Sequence, residues 1–252
     1  REVTLEYDLT RMVARLDDPD PPRVGILSSL PGMTAPGGEG GYTLLADITK
    51  SFDVVPISQE FQSLPEDLDV LFVAHPPELS ARQAWLIDQH ILRHGRAVFM
   101  VDPAAKTAMG DGMFGTSRDH ARSDLGVLGK AWGVTLSEGA VADAANALPV
   151  PVDTGNGRME ELAHPLFIGA PASDMNANDL VTADLTRNVN FGAPGALLAD
   201  DLPDGEDFSP LISTGPSPSY IDAGAAVRDM TPGDVLKSYK TSPQPLVLAA
   251  RL

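Results

Sequence analysis

"DVLFVAHPPELSARQ", residues 69–83, decides how this chain is read. Its apolar run, residues 70–74, is short and unbroken by the polar alternation of a half-exposed strand. That is the pattern of a strand covered on both faces, the usual state of strands in a parallel sheet. Ser80 then offers an N-cap, with Gln83 three residues on to complete a capping box, and the helix it opens runs to His94 before Gly95 ends it. "RAVFMVD" (96–102) is the next buried strand. His75 stands where the first strand stops, at the carboxyl end where open α/β sheets place their ligands. The two prolines after it fix an extended turn.

Outward from this block the same alternation continues. Upstream, "RVGILSSL" (23–30) is a strand, "PGMTAPGGEGG" (31–41) a glycine-rich loop, "YTLLADITKSF" (42–52) a helix and "DVVPIS" (53–58) a second strand. Strand, helix and strand at these intervals imply right-handed crossovers, hence an α/β fold with a three-layer, open, mostly parallel sheet. An amphipathic helix carrying Leu5, Leu9, Met12, Val13 and Leu16 opens the chain, and "DDPDPP" breaks it. After Asp102 the pattern loosens, and 103–124 reads as a mobile loop. "LGVLGKAWGV" (125–134) is a short helix running into a strand, and further strands are expected near 165–170, 188–192, 209–214 and 245–251. With no internal repeat and no clear linker, the expectation is a single elaborated domain over 1–252.

Composition narrows the function classes. The 252 residues suffice for a sizeable core, and a net charge of −17 argues against nucleic acid or anionic membrane surfaces as partners. With no cysteine, disulfides, thiolate metal sites and cysteine nucleophiles are excluded. No apolar stretch reaches the roughly 18 residues of a membrane span. The chain starts at Arg1 and stops inside the strand-like "PLVLAARL", so the expectation is a piece excised from a longer, membrane-anchored protein.

Chemistry-bearing residues gather at the strand ends. Ser28, Ser29, His75 and Asp102 end three expected parallel strands, the arrangement a hydrolase would use as nucleophile, base and orienting acid. No G-x-S-x-G elbow surrounds either serine, and strand-ending loops are an ordinary place for Ser, His and Asp. Asp102-Pro103 also reads as a turn cap. Gly38, in the glycine-rich loop, lies beside the same rim. That loop lacks the P-loop pattern and holds Glu39 in place of a lysine, so it suits a neutral ligand or a partner better than phosphate. His90 and His94, four apart with Asp88 nearby, have the spacing of two imidazole ligands, yet no glutamate follows His90. A helix C-terminus favours histidine without any metal, so no metal and no cofactor are expected. Trp85 and Trp132 read as helix packing residues.

The order of blocks has a counterpart. "LEYDLTRMVARL" (5–16), "PPRVGILSSLPG" (21–32) and "LPEDLDVLFVAHPPELSARQAWLIDQHILRHGRAVFMVDP" (64–103) follow one another as in the auxiliary component of an uncharacterised ABC-type transport system linked to gliding motility. "SDLGVLGKAWGV" (123–134), "NDLVTADLTRNVNFGAPGALL" (178–198) and "FSPLISTGPSPSYID" (208–222) extend the resemblance through the tail. One departure is His94-Gly95 where that family often has Gly-Gly. The resemblance implies a flavodoxin-like or class I glutamine amidotransferase-like sheet. It also implies a periplasmic or extracytoplasmic domain anchored to the bacterial inner membrane by helices outside this sequence, with ABC permease and ATPase subunits as partners. It supplies no catalytic residue. The expected function is therefore non-catalytic binding of a partner or of a small neutral ligand such as a sugar, through Ser28, Ser29, Gly38, His75 and Asp102. A hydrolase using the Ser/His/Asp rim and a structural scaffold are the alternatives.

Overall fold

A four-stranded parallel sheet and several small antiparallel ones build this mixed α/β chain. The structure, a computed structural model, describes residues 5, 9–10, 12–13, 20–30, 32–33, 42–109, 121–153, 158–228 and 230–252. The chain forms two compact units, Arg1–Met100 and Val101–Leu252. Of the expected opening helix, Leu5, Leu9, Met12 and Val13 are helical and more than half exposed, and Leu16 lies outside the described residues.

The first unit holds β1 (Arg23–Ser28), α1 (Thr43–Ile48), β2 (Asp53–Ile57), β3 (Val70–Ala74), α2 (Ala81–His94) and β4 (Ala97–Met100), with strand order β2-β1-β3-β4. In register, Ile26 lies beside both Pro56 and Phe72. Val24, Ile26, Phe72 and Ala74 share one face and pack with Leu45 of α1. Gly25, Leu27, Leu71 and Val73 alternate onto the other face, where Leu27, Leu71 and Val73 are fully buried. The β2–β3 connection crosses that face close to Gly25. A Cβ added there would stand 2.7 Å from Leu68 Cδ1, which is why the strand has a glycine at this point. Pro56, which cannot donate to a ladder, sits on the edge strand β2. The run ending in Asp102 does not form the fully buried strand expected: β4 is the other edge, and Val98 and Met100 are about half exposed.

The capping box is formed as the sequence requires. Ser80 Oγ accepts from the Gln83 backbone N–H, and the Gln83 side chain accepts from the Ser80 backbone N–H. Gly95, left-handed at φ 69°, closes the helix.

The second unit carries α3 (Gly126–Trp132), β5 (Val134–Leu136), β6 (Ala140–Ala142), β7 (Ala147–Asp153), β8 (Met159–Ala170), β9 (Val189–Gly192), β10 (Leu197–Ala199), β11 (Ser209–Ser213), β12 (Ser219–Ile221), α4 (Ala223–Val227), α5 (Pro232–Lys237) and β13 (Val247–Arg251). Among the described residues its strands pair as β10–β5, β11–β13, β12–β6 and β7–β8–β9, all antiparallel. The helix and strand read at 125–134 and the four later strands are present. Of the stretch read as a mobile loop, 110–120 lie outside the described residues. Lys106–Met109 form a 3₁₀ turn.

Strands of three residues leave most of their backbone polar groups without ladder partners, and buried polar side chains supply the rest. Ser137 Oγ donates to Gly139 O and accepts from Ala196 N. Thr214 Oγ1 donates to Gly215 O and accepts from Leu246 N. Asp143, fully buried, accepts from Gly215 N at 2.7 Å, Ala145 N at 3.0 Å and the Asn146 amide at 3.0 Å.

Candidate functional site

The strand order places a switch point in the first unit. From β1 the chain passes through α1 to β2 on one side, and from β3 through α2 to β4 on the other. Right-handed crossovers therefore send the two connections to opposite faces. They diverge between the carboxyl ends of β1 and β3, where Ser28 lies opposite Ala74 and the next residues are Ser29 and His75. Open α/β sheets bind ligands at such a crevice.

His75 is not the extended residue its two prolines imply. Its φ is 49°, in the left-handed region, and its side chain is buried. The cause is a peptide pinned on both sides. Its N–H donates to Met100 O at 2.8 Å, and its carbonyl accepts from Ser29 N at 3.1 Å and from Ser29 Oγ at 2.7 Å. A non-glycine residue held left-handed stores backbone strain, a feature concentrated at binding and active sites.

Hydrogen bonds extend from this point as a belt. Ser28 Oγ accepts from Leu30 N at 3.0 Å, and Ser28 O accepts from the Gln59 side chain at 3.2 Å. Gln59 O accepts from the Gln83 amide at 2.7 Å, and the Gln83 carbonyl oxygen accepts from Ser80 Oγ at 2.9 Å. The belt ties the ends of β1 and β3, the β2–β3 connection and the start of α2 into one uncharged polar rim. A serine nucleophile needs its hydroxyl proton turned toward a base. Ser29 gives its proton to the carbonyl of His75. Gln59 is a rim residue that the sequence pattern does not single out. The capping box identifies Gln83, but its second bond, to a loop carbonyl 24 residues away, has no local sequence signal.

Two expected residues remain, Gly38 and Asp102. Gly38 lies outside the described residues. Asp102 belongs to the second unit, where it caps a turn as its sequence position implies, Oδ1 accepting from Ala104 N at 2.7 Å. Burial pushes its carboxyl up to about 6, against the lowering effect of that N–H. It lines a cavity of about 210 Å³ together with His164, Phe167 and Met230. His164, missed in the sequence, is buried, with Nδ1 accepting from Leu166 N at 3.3 Å and Nε2 at 2.9 Å from Met230 O. Its position just before a proline repeats the His75-Pro76 pattern, and this was the available clue.

His90 is buried, and the side chain of His94 lies outside the described ones. Among the described residues no group of three or more His, Asp or Glu comes together as a metal set. No helix among them is long and apolar enough to cross a membrane.

No curated protein and no solved structure matches the chain. The family model described as "ABC-type uncharacterized transport system" matches residues 21–252, from just before β1 through both units to the last residue. The chain belongs to this family of auxiliary components of ABC-type transport systems.

Proposed function

We propose that this chain is the extracytoplasmic domain of a membrane-anchored ABC transport auxiliary protein and works by binding, without catalysis. The rim around Ser29, held in place by the buried Ser28 and His75, is its contact for the permease, and Gly38, outside the described residues, belongs to the same proposal. The observation that carries the reading is the commitment of the Ser29 hydroxyl to the His75 carbonyl at 2.7 Å, which builds a rigid recognition edge and not an activated nucleophile. The rim's order of strands, β2-β1-β3-β4, also supports a flavodoxin-like sheet for the first unit. Its uncharged donors and acceptors suit a protein loop. They also suit a small neutral ligand such as a sugar, and a role in gliding motility belongs to the same proposal.

The test is co-purification of the full-length protein with its permease and ATPase from detergent-solubilised membranes. His75→Ala and Ser29→Ala lower recovery of the permease, whereas Arg93→Ala on the exposed face of α2 leaves it unchanged. Recovery lost with Arg93→Ala and kept with the rim variants overturns the placement. Saturable sugar binding abolished by Ser29→Ala, with permease recovery unchanged, makes the rim a ligand site instead. Ester or amide turnover abolished by His75→Ala in a folded protein overturns the non-catalytic reading.

A further inference from the structure

We infer that the cavity at Asp102 in the second unit binds a small primary ammonium ion with an apolar body. The inference goes beyond the auxiliary reading and does not rest on it. The cavity, about 210 Å³, is larger than the roughly 150 Å³ that encloses a benzene ring and smaller than the pockets that take drug-sized molecules. Small residues make the room: Ala104, Ala193, Ala226 and Gly192 line it, and a Cβ on Gly192 would already touch the Phe167 ring at 3.6 Å.

Among the described residues Thr107, His164 and Asp102 are the polar side chains of the lining, and the last two decide the charge of the guest. His164 is saturated. Its Nδ1 accepts from Leu166 N, so the ring proton lies on Nε2 and is given to Met230 O. The imidazole packs edge-to-face on Phe167, with ring centroids 5.1 Å apart, and serves as an aromatic wall. Asp102 is not saturated. One carboxylate oxygen accepts from Ala104 N, and among the described residues no donor meets the other and no cation faces the group. A carboxylate in a cavity that a phenyl ring, Leu166 and several alanines also line complements a cation whose remaining surface is apolar. Such a guest replaces the water that Asp102 gave up on burial.

The probes are benzylamine and its uncharged counterpart toluene, titrated into the 252-residue protein by calorimetry at about pH 7.5 and about pH 5. Benzylamine binds saturably at the higher pH and loses about tenfold or more at the lower one, where Asp102 is protonated. Asp102→Asn produces the same loss at the higher pH and leaves toluene binding unchanged. Ala193→Leu, which fills the cavity, removes both probes. Among the described residues His164 is the other titratable group lining the cavity. A pH effect that persists in Asp102→Asn belongs to it and overturns the assignment. Equal benzylamine affinity in Asp102→Asn, or no saturable binding of benzylamine, overturns it as well.

Discussion

The two units solve the same problem, hiding backbone polar groups in an apolar core, by opposite means. The first threads its chain through one parallel ladder whose central strands bury Ile26, Leu27, Leu71 and Val73 completely. The second divides its strands among small antiparallel sheets and completes them with buried side chains such as Asp143, Ser137 and Thr214. Packing volume governs the first core, whereas the second, with apolar clusters of its own around Val235 and Ile168, depends on hydrogen-bond completeness as well. The largest predicted effect therefore lies at a polar residue. Asp143→Ala strands the buried Gly215 N–H together with Ala145 N and the Asn146 amide, and at about 1–3 kcal/mol for each unmet group the loss is about 4 kcal/mol. The chain's two tryptophans report the units separately, Trp85 on α2 and Trp132 on α3. In a Trp85→Phe background, urea unfolding followed through Trp132 shows this loss. A change below about 1 kcal/mol means that water replaces the carboxylate and that hydrogen-bond completeness does not govern the second core.

The counterpart in the first unit is Leu27→Ala. It removes a fully buried side chain from the central strand and costs about 3 kcal/mol, read through Trp85 in a Trp132→Phe background. A smaller loss than the Asp143 variant preserves the contrast. A larger one reverses it, and packing volume then governs both cores.

The same contrast explains how far the sequence could be read. Continuous apolar runs are local, so β1, β3 and β4 were legible, and so was the capping box at Ser80 and Gln83. The family resemblance rested on these blocks and on 123–134, 178–198 and 208–222 of the tail. Pegs are not local: Asp143 bonds Gly215 across 72 residues, and β6 pairs with β12, almost eighty residues on. "ALPVPVD" hid β7, because Pro149 and Pro151 read against a strand although they are tolerated where a strand keeps an open edge. The rim was half legible. Ser28, Ser29 and His75 do meet, but the left-handed turn at His75 contradicts the residue-before-proline rule, and only the bonds from Ser29 and to Met100 account for it. Asp102 was placed by its strand-end position, whereas its cavity is built from β8, β9 and α4, remote in sequence.

Asp102 sharpens the comparison through pH. Burial holds its carboxyl at about 6, above the ordinary 3.8, so the folded chain binds more protons than the unfolded one between these values. The stabilisation is fully present below about pH 4 and is lost as the pH rises through 6. Asp102→Asn keeps an oxygen for Ala104 N and removes the buried charge. It is therefore expected to be more stable than the parent at pH 7 by about 2 kcal/mol and to lose this slope. Denaturation midpoints followed through Trp132 between pH 4 and 7 test it. An unchanged slope in the variant assigns the pH dependence to another group.

The smallest effect tests whether the comparison is between two bodies or between two ends of one. Ser80→Ala removes the cap of α2, where Ser80 Oγ accepts from Gln83 N at 3.3 Å and donates to the Gln83 side chain at 2.9 Å. Losing a serine cap costs about 1 kcal/mol. The released Gln83 side chain also holds Gln59 O, and Gln59 holds Ser28 O, so the loss reaches the rim by way of two amides. Unfolding followed through Trp85 should shift by that amount, with no change through Trp132. An equal shift in both signals would mean that the units unfold as a single cooperative body, and a weakness in either core would then be shared by both.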